Sequence, residues 1–335
     1  MNIYYSLKSL ALILKQCRPS KVVLITQKSL FKKLKWAIAE IQKISGNKIK
    51  ILYVPEGEEA KEWKNLEKLL FQLAELQLDR GAVLVAFGGG SASDLVGFAA
   101  SIYQRGISYI NIPTTLLAQV DASIGGKTAI NFHRHKNQLG TFHMPIASII
   151  DTRFIKNLPI AQKIDGLAEI IKAGMIKDKS ILSLLEKHRM AIFQNESALQ
   201  KLISKSIKVK QFFVEKDPYD KKERLLLNFG HTIGHALELK YSLSHGQAVL
   251  QGMLAEIKLG ALIGETEQNS VEYIEKIVKG LGLVIDSDKE IDWKAILFDK
   301  KIKNGIIDLP IIKKIGQSEL KKIKLNNLKT IFKKI

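Results

Sequence analysis

The sequence predicts an α/β N-terminal domain built on a mostly parallel sheet, followed by an all-α C-terminal domain. Three observations carry this. Up to about residue 150, short β-branched runs alternate with helical segments of roughly 10–15 residues, the pattern of parallel βαβ units. After about residue 153, helical periodicity dominates and strand runs nearly vanish. The chain has 335 residues, enough for two domains. The expected division is 1–152 and 153–335, with a ligand cleft between the two.

The elements follow in order. VVLIT (22–26) is a short apolar run and reads as a buried strand, with a helical segment after it to about Ile44. KILYV (50–54) is a second strand, and a helix runs from about Lys61 to Leu78. AVLVAF (82–87) is a third strand ending in Gly88-Gly89-Gly90, followed by a helix from about Ser93 to Tyr103. ISYINI (107–112) is a fourth strand stopped by Pro113, and ASIIDT (147–152) is the last. Helices are then expected over 158–178, 180–188, 196–216, 228–241, 246–264, 269–281 and 292–301. IKNGIID reads as a hairpin with Asn304-Gly305 as its two-residue turn. The lysine-rich LKKIKLNNLKTIFKKI at the C-terminus reads as an amphipathic helix with a solvated face.

Composition bounds the function. The apolar fraction is 46% and the charged fraction 25%, ordinary for a folded protein. No run of about 18 apolar residues occurs, so no membrane span is expected. The N-terminal SLALIL lacks a basic leader and a small-residue cleavage site, which argues against a signal peptide. Cys17 is the single cysteine, so a disulfide framework is excluded and a reducing cytoplasm is expected. The net charge is +19, but lysines are spread along the whole chain rather than gathered in a patch. That spread reads as a compositional bias more than a designed patch, so nucleic acid is not the expected partner.

Four stretches carry chemistry. AFGGGSASDLVGF places three glycines between a strand and a helix, where backbone N–H groups can approach phosphate. Taken alone, this reads more readily as a tight turn with no ligand than as a phosphate site, and it is not the GxGxxG fingerprint. IPTTLLAQVDASIGGKTAIN follows the next strand directly, so its Thr114, Thr115, Asp121 and Lys127 face the same sheet edge. In GLAEIIKAGMIKD, Glu169 and Lys172 lie three apart on one helical face, as a surface ion pair would. NFGHTIGHALE puts His231 and His235 four apart on another helix. Such a pair can hold zinc, but Thr232 stands where a zinc peptidase needs glutamate. A catalytic zinc takes about three protein ligands, and His245 and Glu169 are candidates for the remainder.

In order along the chain stand GGGSASDLVGFAASIYQRG, INIPTTLLAQVDASIGGKTAIN, HKNQLGTFHMP, DGLAEIIKAGMI, LLLNFGHTIGHALE and SHGQAVLQGM. Together they closely resemble the 3-dehydroquinate synthases of the shikimate pathway, over roughly residues 50–310. The resemblance implies a Rossmann-like NAD-binding N-terminal domain, a metal- and substrate-binding helical domain, and a homodimer. It implies conversion of 3-deoxy-D-arabino-heptulosonate 7-phosphate to 3-dehydroquinate, with NAD used and regenerated in each cycle and the substrate's own phosphate acting as base in the elimination. The implied metal, zinc or cobalt, falls to Glu169, His231 and His245. Substrate contacts fall to Asp121, Lys127, Asn137, Lys172, Lys210, Arg224, Asn228, His235 and Lys301, with Lys300 as the alternative to the last. Arg105 resembles an arginine lent across the dimer. Cofactor contacts fall to Glu58, Lys61, Gly89, Gly90, Asp94, Thr114, Thr115, Lys127, Lys136, Phe154 and Asn157.

The chain departs from the family pattern at several points. Gln27 stands where an aspartate is usual and implies altered NAD contacts. Ser91-Ala92-Ser93 replaces an apolar-glycine segment, and Gln247 replaces a carboxylate beside a metal ligand, a change expected to retune the metal. His135, Pro218 and Asp220 also differ, and the family's first hairpin is expected to be trimmed. None of the metal ligands or phosphate-site lysines implied by the resemblance is lost, so a working enzyme is expected.

Overall fold

The computed structural model describes residues 1–46, 49–133, 135–283, 296 and 302–332. It divides into two compact units, Met1–Leu158 and Pro159–Ile335.

The first unit is a six-stranded, all-parallel sheet in the order β1-β8-β5-β4-β2-β3. Its strands are β1 (Asn2–Tyr4), β2 (Val22–Gln27), β3 (Lys50–Val54), β4 (Val83–Gly88), β5 (Ser108–Pro113) and β8 (Ala147–Ile149). The central strands read as unbroken apolar runs because both faces are covered. Successive side chains therefore serve opposite cores. Val23, Ile25, Leu84 and Ala86 pack on one face with α4 (Trp63–Glu75) and α5 (Gly90–Ile102). Leu24, Val83, Val85, Phe87 and Ile110 pack on the other with α1 (Ser9–Cys17) and α3 (Lys35–Ile44). A short α2 (Lys28–Lys33) precedes α3.

Chain order reverses between β2 and β4. β2 continues outward to β3, whereas β4 continues the opposite way to β5. The carboxyl ends of β2 and β4 thus flank a topological switch point, the place where open parallel sheets bind ligands. A separate antiparallel hairpin, β6 (Lys127–Phe132) with β7 (His135–Phe142), packs against α5. Gly140 permits this pairing, because a Cβ there would stand 2.2 Å from the Thr128 carbonyl oxygen.

The second unit is helical, comprising α6 (Ile160–Ile176), α7 (Ser180–His188), α8 (Glu196–Lys216), α9 (His231–Tyr241), α10 (His245–Leu262) and α11 (Gln268–Gly280). A three-stranded antiparallel sheet accompanies them: β9 (Ile302–Lys303), β10 (Ile306–Lys314) and β11 (Gln317–Lys324). The Asn304-Gly305 turn joins β9 to β10 with φ of 52° and 71°, the left-handed pair that a two-residue hairpin requires.

Two readings need correcting. Among the described residues, the C-terminal lysine-rich segment is helical over Leu325–Phe332, and its first part belongs to β11. The apolar side chains of β10 sit against α9 and α10, and its free edge takes up a neighbouring strand whatever the helical pattern of that strand. The last strand of the parallel sheet ends at Ile149, and Thr152–Phe154 forms a 3₁₀ turn capped by the Asp151 side chain. Of the helix expected over 292–301, Ile296 alone is described, helical and buried, and Lys300 and Lys301 lie outside the described residues.

Candidate active site

In the second unit, α6, α9 and α10 bring Glu169, His231 and His245 together. The Glu169 Oε1 atom lies 3.5 Å from His231 Nε2 and 3.3 Å from His245 Nε2. One ligand atom from each of the three residues falls within 4.8 Å of the others. A tetrahedral ion with bonds of about 2.0–2.1 Å has ligand–ligand edges of roughly 3.3–3.4 Å. Both measured edges match this, so the donor set fits a tetrahedral metal with a further position open. Zinc and cobalt both suit two imidazoles and a carboxylate.

The electrostatics are those of a buried, mutually compensated cluster. Glu169 is 4% exposed, and its Oε2 pairs with the buried Lys172 ammonium. Burial alone would raise this carboxyl, but Lys172 and His245 outweigh it and hold Glu169 well below the usual carboxylate range. Burial likewise opposes charge on His245, yet Glu169 and Glu238 overcome it and hold that imidazole well above its ordinary value.

Local structure explains how the ligands are aimed. Gly230 enters α9 with φ of 80°, and its N–H donates to the buried Glu256 Oε2 at 2.7 Å. That fixes the residue immediately before His231. α10 starts with a capping box: the Ser244 hydroxyl accepts the Gln247 N–H, and Gln247 Oε1 accepts the Ser244 N–H. The Gly246 N–H donates to Asp165 Oδ1 at 2.9 Å, which ties the start of α10 to α6 one turn before Glu169. The glycines are needed for contact. A Cβ on Gly246 would stand 2.3 Å from Asp165 Cα, and one on Gly252 would stand 2.0 Å from the Gly230 carbonyl oxygen. Asp165 and Glu256 carry no signal in the sequence, because each acts on a residue far along the chain. The side chain of Gln247 is taken by the helix cap, which gives this substitution a local task apart from the metal ligands.

Three cations stand on mutually packed elements nearby. Lys172 is on α6, Lys210 on α8, and Arg224 on the 3₁₀ turn Glu223–Asn228, which packs on both helices. All three are buried. Asp217 organises the approach to Arg224: its Oδ2 accepts the N–H groups of Lys221, Lys222 and Arg224. Burial would raise the Asp217 carboxyl, but these three backbone donors outweigh it and lower it. Arg224 Nη1 donates to the Pro218 carbonyl at 2.8 Å. Asn228 closes the same turn and is half-buried. His235 is exposed, with its ring centre 5.3 Å from that of His231 and 6.5 Å from that of His245.

In the first unit, Gly89, Gly90, Thr114 and Thr115 follow the carboxyl ends of β4 and β5. Gly88 closes β4, Gly89 precedes α5 and Gly90 is its first residue. Close packing excludes side chains here too, since a Cβ on Gly88 would lie 2.8 Å from Ala92 Cβ. Thr114 follows β5 and is 2% exposed. The Thr115 hydroxyl accepts the Ala118 N–H and starts the next helical turn, which contains Asp121. The buried hydroxyls of Thr26, Ser93 and Thr114 have no hydrogen-bond partner among the described residues. Three such groups beside a glycine turn and a helix start fit a phosphate- and ribose-bearing ligand.

Lys61 is 3% exposed, and its ammonium contacts Asp94 Oδ2 at 2.7 Å, Asn137 Oδ1, and Glu58 Oε2 at 3.9 Å. Burial pushes the Asp94 carboxyl up to about 6, against the pull of Lys61. Glu58 accepts in turn from Asn131 and Ser91. Lys127 and Lys136 are exposed on β6 and β7. Lys136, Glu58, Trp63 and His133 help to line a cavity of about 580 Å³. The Phe154 ring packs in the sheet core, stacking on Trp36 at 5.4 Å and meeting Phe87 edge-on at 5.6 Å. Asn157 is exposed in the following turn. Arg105 is exposed in a turn where Gln104, Arg105 and Gly106 all take positive φ. Gln27 ends β2 at the switch point, 6% exposed, and its Nε2 donates to the Pro55 carbonyl at 3.4 Å.

Comparison with known proteins bears on these geometries together. A family profile described as 3-dehydroquinate synthase N-terminal matches residues 51–165, and one described as 3-dehydroquinate synthase C-terminal matches residues 166–302. A 3-dehydroquinate synthase of Thermodesulfovibrio yellowstonii is 42% identical over 278 residues, covering 81% of this chain and 77% of its own. One of Sulfurisphaera tokodaii is 41% identical over 315 residues, covering 88% and 89%. A solved 2-deoxy-scyllo-inosose synthase, complexed with carbaglucose-6-phosphate, NAD+ and Co2+, superposes with a TM-score of 0.87 over 99% of this chain and 96% of its own. At 23% identity, that likeness speaks for the fold. With both profiles matching in tandem and relatives above 40% identity along most of its length, the chain belongs to the 3-dehydroquinate synthase family.

Proposed function

We propose that this chain converts 3-deoxy-D-arabino-heptulosonate 7-phosphate to 3-dehydroquinate and phosphate. The observation that carries the reading is the Glu169–His231–His245 donor set beside buried Lys172, in a chain of this family. Glu169, His231 and His245 would hold zinc or cobalt, which when bound lowers the pKa of a substrate hydroxyl. NAD, held by residues of the first unit, would take a hydride from the substrate and return it within the same cycle.

The chain's own groups bind, orient and move protons. Lys172, Lys210 and Arg224 supply the positive charge that a carboxylated sugar phosphate requires, and their burial strengthens each contact. Asn228 and Asn137 offer neutral hydrogen bonds to hydroxyls, with Asp121, Lys127 and Lys301 completing the substrate set. His235 stands one helical turn from His231 and would pass protons near the departing phosphate. Since the substrate's phosphate serves as base in the elimination, the residues' main task is positioning. Glu58, Lys61, Gly89, Gly90, Asp94, Thr114, Thr115, Lys127, Lys136, Phe154 and Asn157 form the cofactor set. The single cysteine and the family's biosynthetic role support a cytoplasmic enzyme. Among the described residues, no helix is long and apolar enough to cross a membrane. A homodimer, with Arg105 serving the phosphate site across the interface, completes the reading.

The test is phosphate release from the heptulosonate phosphate with NAD below the substrate concentration. Phosphate in excess of total NAD, with 3-dehydroquinate identified by mass spectrometry, is expected. NADH accumulating in step with substrate consumed would mean a simple dehydrogenase and overturn the proposal.

A further inference from the structure

His245 stands between two carboxylates. Its Nε2 lies 3.3 Å from Glu169 Oε1, and its Nδ1 lies 3.7 Å from Glu238 Oε2. Glu238 is on α9, seven residues after His231, so the two share one helical face two turns apart. The Ser242–Ser244 connection from α9 to α10 is short, and it returns the chain so that His245 meets that face. Glu238 is half-buried, with a side-chain exposure of 18%, which shields the contact from solvent.

The second histidine is arranged the same way with different means. His231 turns its Nε2 toward Glu169 Oε1, and its Nδ1 lies 3.3 Å from the Phe229 carbonyl oxygen. Each histidine therefore has an acceptor on its Nδ1 side and offers its Nε2 to the same carboxylate oxygen. For His231 the acceptor is backbone and any residue at 229 supplies it. For His245 it is a side chain, so it is open to substitution.

We propose that Glu238 is a positioning residue that accepts the Nδ1–H of His245 and so leaves the Nε2 lone pair aimed at the metal. The assignment rests on reading Glu169, His231 and His245 as the metal centre. A neutral imidazole has two tautomers, and only the one protonated on Nδ1 can bind an ion through Nε2. A carboxylate on the far nitrogen selects that tautomer, holds the ring plane and makes the nitrogen more basic. Glu238 also lies within reach of His235, and the three residues His235, Glu238 and His245 could together hold a second ion. The positioning role is favoured because His245 has one ring, and its Nε2 already faces the Glu169 group.

The test uses metal-free wild type, Glu238→Ala, Glu238→Gln and His245→Ala, titrated with Co2+ against a competing chelator while the visible absorption is followed. Wild type and both Glu238 variants are expected to bind one equivalent. Glu238→Ala should bind roughly 10–100-fold more weakly with an altered Co2+ spectrum. Glu238→Gln, which keeps an acceptor but not the charge, should fall between them; being nearly isosteric, it keeps the test open if the alanine variant fails to fold. Metal-free unfolding midpoints of the folded variants should match wild type. Unchanged affinity and spectrum in both Glu238 variants would overturn the proposal. Two equivalents in wild type and one in Glu238→Ala would also overturn it, since Glu238 would then be a ligand. If His245→Ala bound Co2+ as tightly as wild type, the metal-centre reading itself would fall.

Discussion

Gly252→Ala tests whether the spacing of α9 and α10 sets the metal centre. The new methyl carbon would stand 2.0 Å from the Gly230 carbonyl oxygen and 2.7 Å from the Gly234 nitrogen. These two atoms are the acceptor and donor of the first hydrogen bond of α9, at 2.9 Å. Neither is the end of a flexible side chain, so the helices must part, by about 1.4 Å to restore ordinary contact. Gly230 immediately precedes His231, whose Nε2 is 3.5 Å from Glu169. Overpacking a dense interior costs about 1–3 kcal/mol, and the rigid neighbours put this case near the top of that range. Replacing glycine in a helix returns about 1 kcal/mol. The net expectation is a loss of about 2 kcal/mol, at least tenfold weaker metal binding, and turnover down by roughly a hundredfold, as for an ångström-scale misplacement. Denaturant unfolding, Co2+ titration and phosphate release measure the three. A variant with wild-type stability and wild-type metal affinity would refute the claim that this contact holds the ligands in register.

Three further outcomes are expected. Glu169→Ala, His231→Ala and His245→Ala should each abolish turnover and lose bound zinc; full metal content in the Glu169 variant would remove it from the ligand set. Asp94 has its carboxyl raised by burial to about 6, so in the window from its ordinary value to about 6 the folded protein holds a proton that the unfolded chain has released. Its contribution is therefore fully present below that window and is lost as pH rises through about 6. The difference in stability between wild type and Asp94→Asn should fall across this range and flatten above it, as urea unfolding at a series of pH values will show; a flat difference would mean that Asp94 titrates normally. Gln27→Asp returns a carboxylate to the end of β2 at the switch point and should tighten NAD binding, read by fluorescence titration. Equal or weaker affinity would show that the amide is no handicap.

Much of this architecture was legible along the chain. β-branched runs marked β2 to β5, because strands buried on both faces need little alternation, and helical periodicity marked α6 to α11 closely. β1 was not legible: three residues including an asparagine become a strand by pairing with β8. β11 was hidden for the same reason, its lysines obscuring a strand that β10 recruits. At the candidate site, the spacing of His231 and His235 correctly indicated a shared helical face. It could not say which histidine faces Glu169, since that depends on how α10 returns against α9. The motif glycines were visible as a pattern, but their reason was not, because each is required by a backbone distant in the chain. Asp165, Glu238 and Glu256 left no pattern at all; a carboxylate that orients a remote group looks in sequence like any other acidic residue on a helix.

The distance between ligands along the chain has a consequence for how the protein acquires its ion. Glu169 and His245 are 76 positions apart. Bringing such ends together costs about 4 kcal/mol of chain entropy before any contact forms, and nothing local repays it. In the newly made chain, the imidazole nearest to His231 is that of His235, a single helical turn away. An ion present early would be captured there, by a pair of which the proposed centre keeps only His231. Native assembly must then exchange one imidazole for another while the helices close. Refolding should accordingly be slower with zinc present from the start than with zinc added at the end, and the metal is better regarded as the last part fitted than as the template on which the unit is built.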